Sequence, residues 1–109
     1  MLGRNEEADY YLKQAAYYRN HNPYYHYILG QAAYRDGRYQ DALSDLDKAI
    51  KLKKDEHQFY YLKGLTYQKL GSSDLALKSF KNAKDAAERI QLIAAYERKL
   101  EGLETQPGE

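Results

Sequence analysis

Cysteine is missing altogether from this chain of 109 residues, which excludes disulfides, thiolate metal sites and cysteine nucleophiles and leaves no mark of a redox compartment. Proline is nearly missing, with two residues, so little stands in the way of long helices. An excess of one charge is missing too: 17 Lys and Arg face 16 Asp and Glu, for a formal net charge of +1. A general binder of nucleic acid or of an anionic membrane needs a basic excess to capture phosphates, so both are argued against. No apolar run approaches membrane-spanning length, and the opening "MLGRNEEADYY" lacks the apolar stretch of a signal peptide. Glycine-rich phosphate loops, nucleophile elbows and zinc-protease motifs are absent. The acidic residues are dispersed along amphipathic stretches, as solvated faces are. Neither catalysis nor a cofactor nor a metal is expected.

What is present is a hydrophobic fraction of 43%, thirteen tyrosines, and enough chain for one domain with a modest core. Sliding the sequence on itself by 34 positions aligns Gly3, Gly37 and Gly71, then Ala8, Ala42 and Ala76. The same shift aligns Leu12, Leu46 and Phe80, then Ala15, Ala49 and Ala83, and pairs Gly30 with Gly64 and Tyr27 with Tyr61. Three registered copies of one spacing mark an internal repeat, which has to be found before anything else is assigned.

The physical demands of paired helices account for each repeated position. Apolar side chains at 39, 42, 43, 46, 49, 50 and 52 form a helical stripe. Gly37 and Gly71 fall where one helix stops and the next begins, a place that favours a left-handed residue. Ala42, Ala49, Ala76 and Ala83 are small at two-turn spacing, which admits a neighbouring helix. Gly30 and Gly64 lie inside helical patterns although glycine there costs about 1 kcal/mol relative to alanine, so close packing is expected at both. Asn22-Pro23 reads as an N-cap followed by a first-turn proline, and Asp55 with Gln58 resembles a capping box. Six helical stretches follow, at about 4–19, 23–36, 39–53, 57–70, 73–87 and 88–103, with boundaries good to about two to four residues.

These residues resemble the tetratricopeptide repeat, a 34-residue helix–turn–helix unit. Leu29, Gly30, Tyr39, Ala42, Leu46 and Ala49 match its pattern in one copy. Tyr60, Gly64, Tyr67, Gly71, Ala76, Phe80 and Ala83 match it in the next. Departures are His26 at the usual Trp position, Lys63 at the Leu position, Ala33 at the Tyr position, and the lack of a closing Pro. The resemblance covers residues 1 to about 87 and implies an all-α solenoid of antiparallel helix pairs, a right-handed superhelix. The division expected is a second helix of an incomplete repeat over 1–22, repeats over 23–56 and 57–87, a capping or extension helix over 88–103, and a disordered tail over 104–109. Because the first copy matches only the end of one helix and the whole of the next, a longer parent protein, or another chain that supplies the missing surface, is expected.

The resemblance also implies a mode of action. The first helix of each repeat lines the concave face, which holds a peptide or a partner helix. Here that face comprises Tyr24, Tyr27, Gln31, Tyr34 and Arg35, then Gln58, Tyr61, Leu65, Gln68 and Lys69. Spacings of three, four and seven put each set on one side of its helix, and tyrosine is enriched at interfaces. The structural alternative is that the tyrosines only cover the core from within. Chaperone-binding members carry a Lys and Asn carboxylate clamp on this face, but Tyr27, Gln31, Tyr61 and Leu65 stand at its positions. Tyrosine and glutamine suit an extended or proline-containing segment.

The densest aromatic run, "YYRNHNPYYHY" over 17–27, reads mainly as a corner. By register Tyr18 matches Leu52 and should pack between helices, and Tyr25 matches Phe59 and should be core. Tyr10 and Tyr17 match positions that face water, and His26 fills a large residue's place. His21 and His26 are five apart across a turn, with no carboxylate or thiolate to complete a metal set. At the other end no Gly or Pro interrupts 73–101, so the last two helices can fuse. The stripe Ile90, Ile93, Leu100 and Leu103 serves either as a cap on the last repeat or as a self-association surface that gives a homodimer through the terminal helices. RNA binding by stacked tyrosines is a third class, opposed by the charge balance.

Overall fold

The computed structural model describes residues 4–105, with side chains over 6–102. Five helices follow one another: α1 (Arg4–Asn20), α2 (Pro23–Arg35), α3 (Tyr39–Leu52), α4 (His57–Lys69) and α5 (Ser73–Thr105). No strand occurs among the described residues. Helix α2 packs along α3 and α4 along α5, α3 against α4 joins the two pairs, and α1 touches only α2. The result is an all-α helix-pair solenoid, drawn out to 65 × 53 × 18 Å.

The chain reverses within each pair through the same device. At the end of α2, Gly37 has φ +77°, its N–H donates to the Tyr34 carbonyl at 3.1 Å, and the Arg38 N–H donates to the Ala33 carbonyl at 2.8 Å. At the end of α4, Gly71 has φ +77°, with Gly71 to Gln68 at 3.1 Å and Ser72 to Tyr67 at 2.9 Å. Both are Schellman closures, in which a left-handed residue turns two orphan carbonyls back onto the chain. Between pairs the device differs. Asn22 caps α2 by accepting the Tyr24 N–H on Oδ1 at 2.9 Å, with Pro23 in the first turn. The capping box expected at Asp55 does not form: Glu56 is the N-cap of α4 and makes no side-chain cap bond. Asp55 instead faces Arg89 of α5 at 3.8 Å.

The core follows the repeated small residues. Ala33, Ala42, Leu46, Ala49, Phe59 and Ala86 are fully buried, with Ala76 and Ala83 nearly so. The two mid-helix glycines are contact points, as their cost implied. A Cβ at Gly30 would lie 3.2 Å from Leu46 Cγ, and one at Gly64 would lie 2.4 Å from Phe80 Cε1.

Three expectations are corrected. Residues 88–103 are not a separate sixth helix, because α5 runs unbroken to Thr105. Tyr18 does not pack between helices: it is 68% exposed, and so in part is its counterpart Leu52 at 42%. Leu12, the counterpart of fully buried Leu46, is likewise 64% exposed, because among the described residues α1 packs on α2 alone. Tyr25 is only half-buried where Phe59 is fully buried. Phe59 closes on Tyr24 and Tyr27 of the preceding first-position helix, and among the described residues no such helix precedes Tyr25. Gly3 and residues 106–109 of the anticipated tail lie outside the described residues.

Candidate partner-binding face

The first helices of the two complete pairs, α2 and α4, lie side by side, so the ten residues assigned to a binding face sit on adjacent elements. Those that line a depression divide between two. Tyr24 is tied down: its hydroxyl donates to Glu56 Oε1 at 3.1 Å, and its ring meets Phe59 edge-on at 5.8 Å. Partial burial first, then the hydrogen bond and charge of Glu56, raise the Tyr24 pKa above its ordinary value. Tyr27 is half-buried and packs against Phe59 at 5.1 Å. These two tyrosines belong to the seam between pairs.

Gln31, Tyr34 and Arg35 do converge, lining with Leu62 of α4 a shallow depression of about 160 Å³. The Tyr34 ring is supported edge-on by Tyr39 at 5.7 Å, which fixes it at the rim. On α4, Gln58, Gln68 and Lys69 are exposed and Leu65 is half-buried. Tyr61 stands apart from the depression. It lines, with His57, Phe80, Ala83, Lys84 and Ala87, a mainly apolar groove of about 450 Å³ beside α5. Sequence reasoning did not single out Phe80, Ala83 and Ala87 for this. The available signal was the 34-residue shift, which maps them onto Leu46, Ala49 and Lys53.

The aromatic corner holds its histidines through backbone carbonyls. His26 is buried, with Nε2 2.8 Å from the Asn20 carbonyl. A carbonyl can only accept, so Nε2 carries the proton, and the buried Nδ1 has no partner. His21 Nδ1 donates to the Tyr17 carbonyl at 2.8 Å, and the ring stacks on Tyr17 at 4.1 Å. Among the described residues no three His, Cys, Asp or Glu side chains converge on one point, and no helix is long and apolar enough to cross a membrane.

The repeated Schellman closures, the helix contacts at glycine and the 34-residue register together define a tetratricopeptide repeat, and the family's sequence profile matches residues 2–57 and 27–89. The chain belongs to the tetratricopeptide repeat family. It is similar to the TPR repeat-containing protein MJ1428 of Methanocaldococcus jannaschii, 32% identical over 99 residues, a match of 80% of this chain and 18% of that protein. Among solved structures it is similar to MamA MSR-1 C2, with TM-score 0.62 and 29% identity over 63% of this chain and 40% of that one. The chain thus spans less than half the length of either. Repeats of this kind generally mediate protein–protein interaction and are scaffolds rather than enzymes.

Proposed function

We propose that this chain is a protein-interaction module whose paired first helices hold a peptide segment or a partner helix, within a longer polypeptide. The observation that carries the proposal is the depression in which Gln31, Tyr34 and Arg35 of α2 meet Leu62 of α4. A supported tyrosine rim gives area, the glutamine amide can pair with a peptide backbone, and the guanidinium suits a carboxylate. Exposed Gln58, Gln68 and Lys69 on α4 extend the polar rim, with Tyr61 and Leu65 beside them. Tyr24 and Tyr27 adjoin it at the seam with Phe59. The near balance of charge supports a protein partner over nucleic acid. Partner capture from the source organism, followed by calorimetry with Tyr34→Ala/Arg35→Ala, tests this. The pair should lose about 2–4 kcal/mol of binding energy with helicity intact, and Tyr10→Ala/Tyr17→Ala should lose little. Equal binding by both double variants would sink the assignment.

A second reading, self-association through the terminal helices, has its own observation. Beyond Arg89, α5 exposes Ile90, Leu92, Ile93, Tyr96 and Leu100, more contiguous apolar surface than a solvated helix presents.

A further inference from the structure

The groove at the end of the solenoid is a site that the repeat fills once and leaves open once. In the preceding pair the counterparts of its residues lie under α4: Leu46 and Ala49 are fully buried, and Tyr27 is closed by Phe59 at 5.1 Å. In the last pair Phe80 is only half-buried and Tyr61 is 54% exposed. The missing element is a further first-position helix.

The chain contains that helix. Shifted by 34, residues 57–69 of α4 fall on 91–103. The buried Phe59, Leu62 and Thr66 map to Ile93, Tyr96 and Leu100, all large and apolar and all more than half exposed. Phe59 and Leu62 both meet the preceding pair, at Tyr27 and at the Gln31–Tyr34 depression. The salt bridge that seats α4 maps as well. Lys63 Nζ holds Asp47 Oδ1 of α3 at 2.8 Å, and its counterparts are Glu97 and Lys81, an opposite-charge pair with the signs exchanged. One turn on from Lys81 is Lys84, which lines the groove.

The pattern residues Tyr60, Gly64 and Tyr67 have the unlike counterparts Ala94, Arg98 and Glu101, and the glycine tells what kind of helix this is. Gly64 is where α4 meets its own following helix, with Phe80 at 2.4 Å from a Cβ position. Its counterpart is Arg98, which admits no such approach. Residues 91–103 therefore suit a helix that seats on a preceding pair and has none after it. For the same reason they do not suit pairing with α1 of another copy, which would stand in that following place.

Yet α5 is straight. The turn Lys53–Lys54–Asp55–Glu56 has the counterparts Ala87, Glu88, Arg89 and Ile90, which propagate a helix. Lys81 and Glu97 are thus sixteen residues apart on one rod, about 24 Å at 1.5 Å per residue, and cannot meet within the chain. We propose that two copies exchange these segments. The α5 helices cross antiparallel near residues 87–90, and residues 91–103 of each copy cover the His57–Tyr61–Phe80–Ala83–Ala87 groove of the other, with Glu97 of one copy against Lys81 of its partner. A segment parallel to its own residues 73–86 is antiparallel to those of a copy related by a two-fold axis perpendicular to α5, which is the orientation in which successive helices of the repeat pack. The inference rests on the self-association reading and specifies it.

Sedimentation equilibrium on the full chain tests it, with far-UV circular dichroism to check that variants fold. The wild type should be a dimer at tens of micromolar. Glu97→Lys alone and Lys81→Glu alone should each weaken the dimer roughly tenfold, since each places like charges in both contacts. Mixing the two single variants should restore wild-type affinity, because the mixed dimer regains two opposite-charge pairs. Ile93→Asp should be monomeric at the same concentrations with unchanged helicity. A wild-type monomer would overturn self-association and exchange together. A dimer indifferent to Ile93→Asp and to the charge reversals would overturn the exchange and leave self-association by another surface. Weakening by the single reversals without rescue on mixing would also overturn it.

Discussion

Replacing Gly64 by alanine sets two effects of known size against each other. Alanine is favoured over glycine inside a helix by about 1 kcal/mol, so at an open site the change would stabilise. At Gly64 the new methyl carbon would stand 2.4 Å from Phe80 Cε1, 2.6 Å from Cδ1 and 2.8 Å from Cζ, far inside van der Waals contact. The ring has to swing outward, into the groove it lines, and give up its tilted contact with Tyr61 at 5.6 Å. Overpacking of this kind costs about 1–3 kcal/mol, and overlap with three ring atoms puts it in the upper half of that range. Gly64→Ala is therefore destabilising by about 1–2 kcal/mol net. Adding Phe80→Leu restores the spacing found one repeat earlier, where leucine at 46 leaves 3.2 Å above Gly30. The double variant should recover most of the loss. Urea denaturation followed by circular dichroism measures all four corners of the cycle. A stabilising Gly64→Ala, or a cost that Phe80→Leu does not relieve, would refute the view that glycine is required here by contact with Phe80.

Gly71→Ala meets no atom within 4 Å but holds φ +77°, so it should cost about 1–2 kcal/mol by backbone strain alone, in the same denaturation assay, and Gly71→Asn less. Asn22→Ala should lose about 1 kcal/mol with its cap bond, whereas Asp55→Ala should lose under about 0.5 kcal/mol, since only an exposed ion pair to Arg89 goes. Ala42→Leu, at a fully buried site, should cost about 1–3 kcal/mol by overpacking; an unchanged melting temperature would contradict the helix register. Tyr24 gives a pH dependence with a definite sign. Its folded pKa is raised above the ordinary 10.0, so its stabilising contribution is fully present below pH 10 and is lost as pH rises through the raised value. The melting-temperature advantage of wild type over Tyr24→Phe should accordingly vanish only in strongly alkaline solution, and an advantage lost well below pH 10 would contradict it.

The repeat was legible from the sequence because its determinants are local. A left-handed residue is required wherever Schellman closures end a helix, so the glycines at 37 and 71 mark the two places where φ is positive. Close helix approach requires a missing Cβ, so Gly30 and Gly64, with buried Ala42, Ala49, Ala76 and Ala83, announced the pairing. The Asn22-Pro23 cap was legible for the same reason, and the lack of Gly or Pro over 73–101 allowed α5 to run unbroken. What those signals could not carry was the covering of one element by another. Periodicity puts Tyr24, Tyr27, Tyr34 and Tyr61 on the same side of their helices. Only the packing of α4 against the preceding pair draws Tyr24 and Tyr27 into the seam at Phe59 and leaves Tyr61 beside an open groove. Tyr18 and Tyr25 depart from their expected burial for the same cause. A residue's burial is a sum over neighbours distant in sequence, whereas helix starts, stops and contact glycines are written in the few residues that make them.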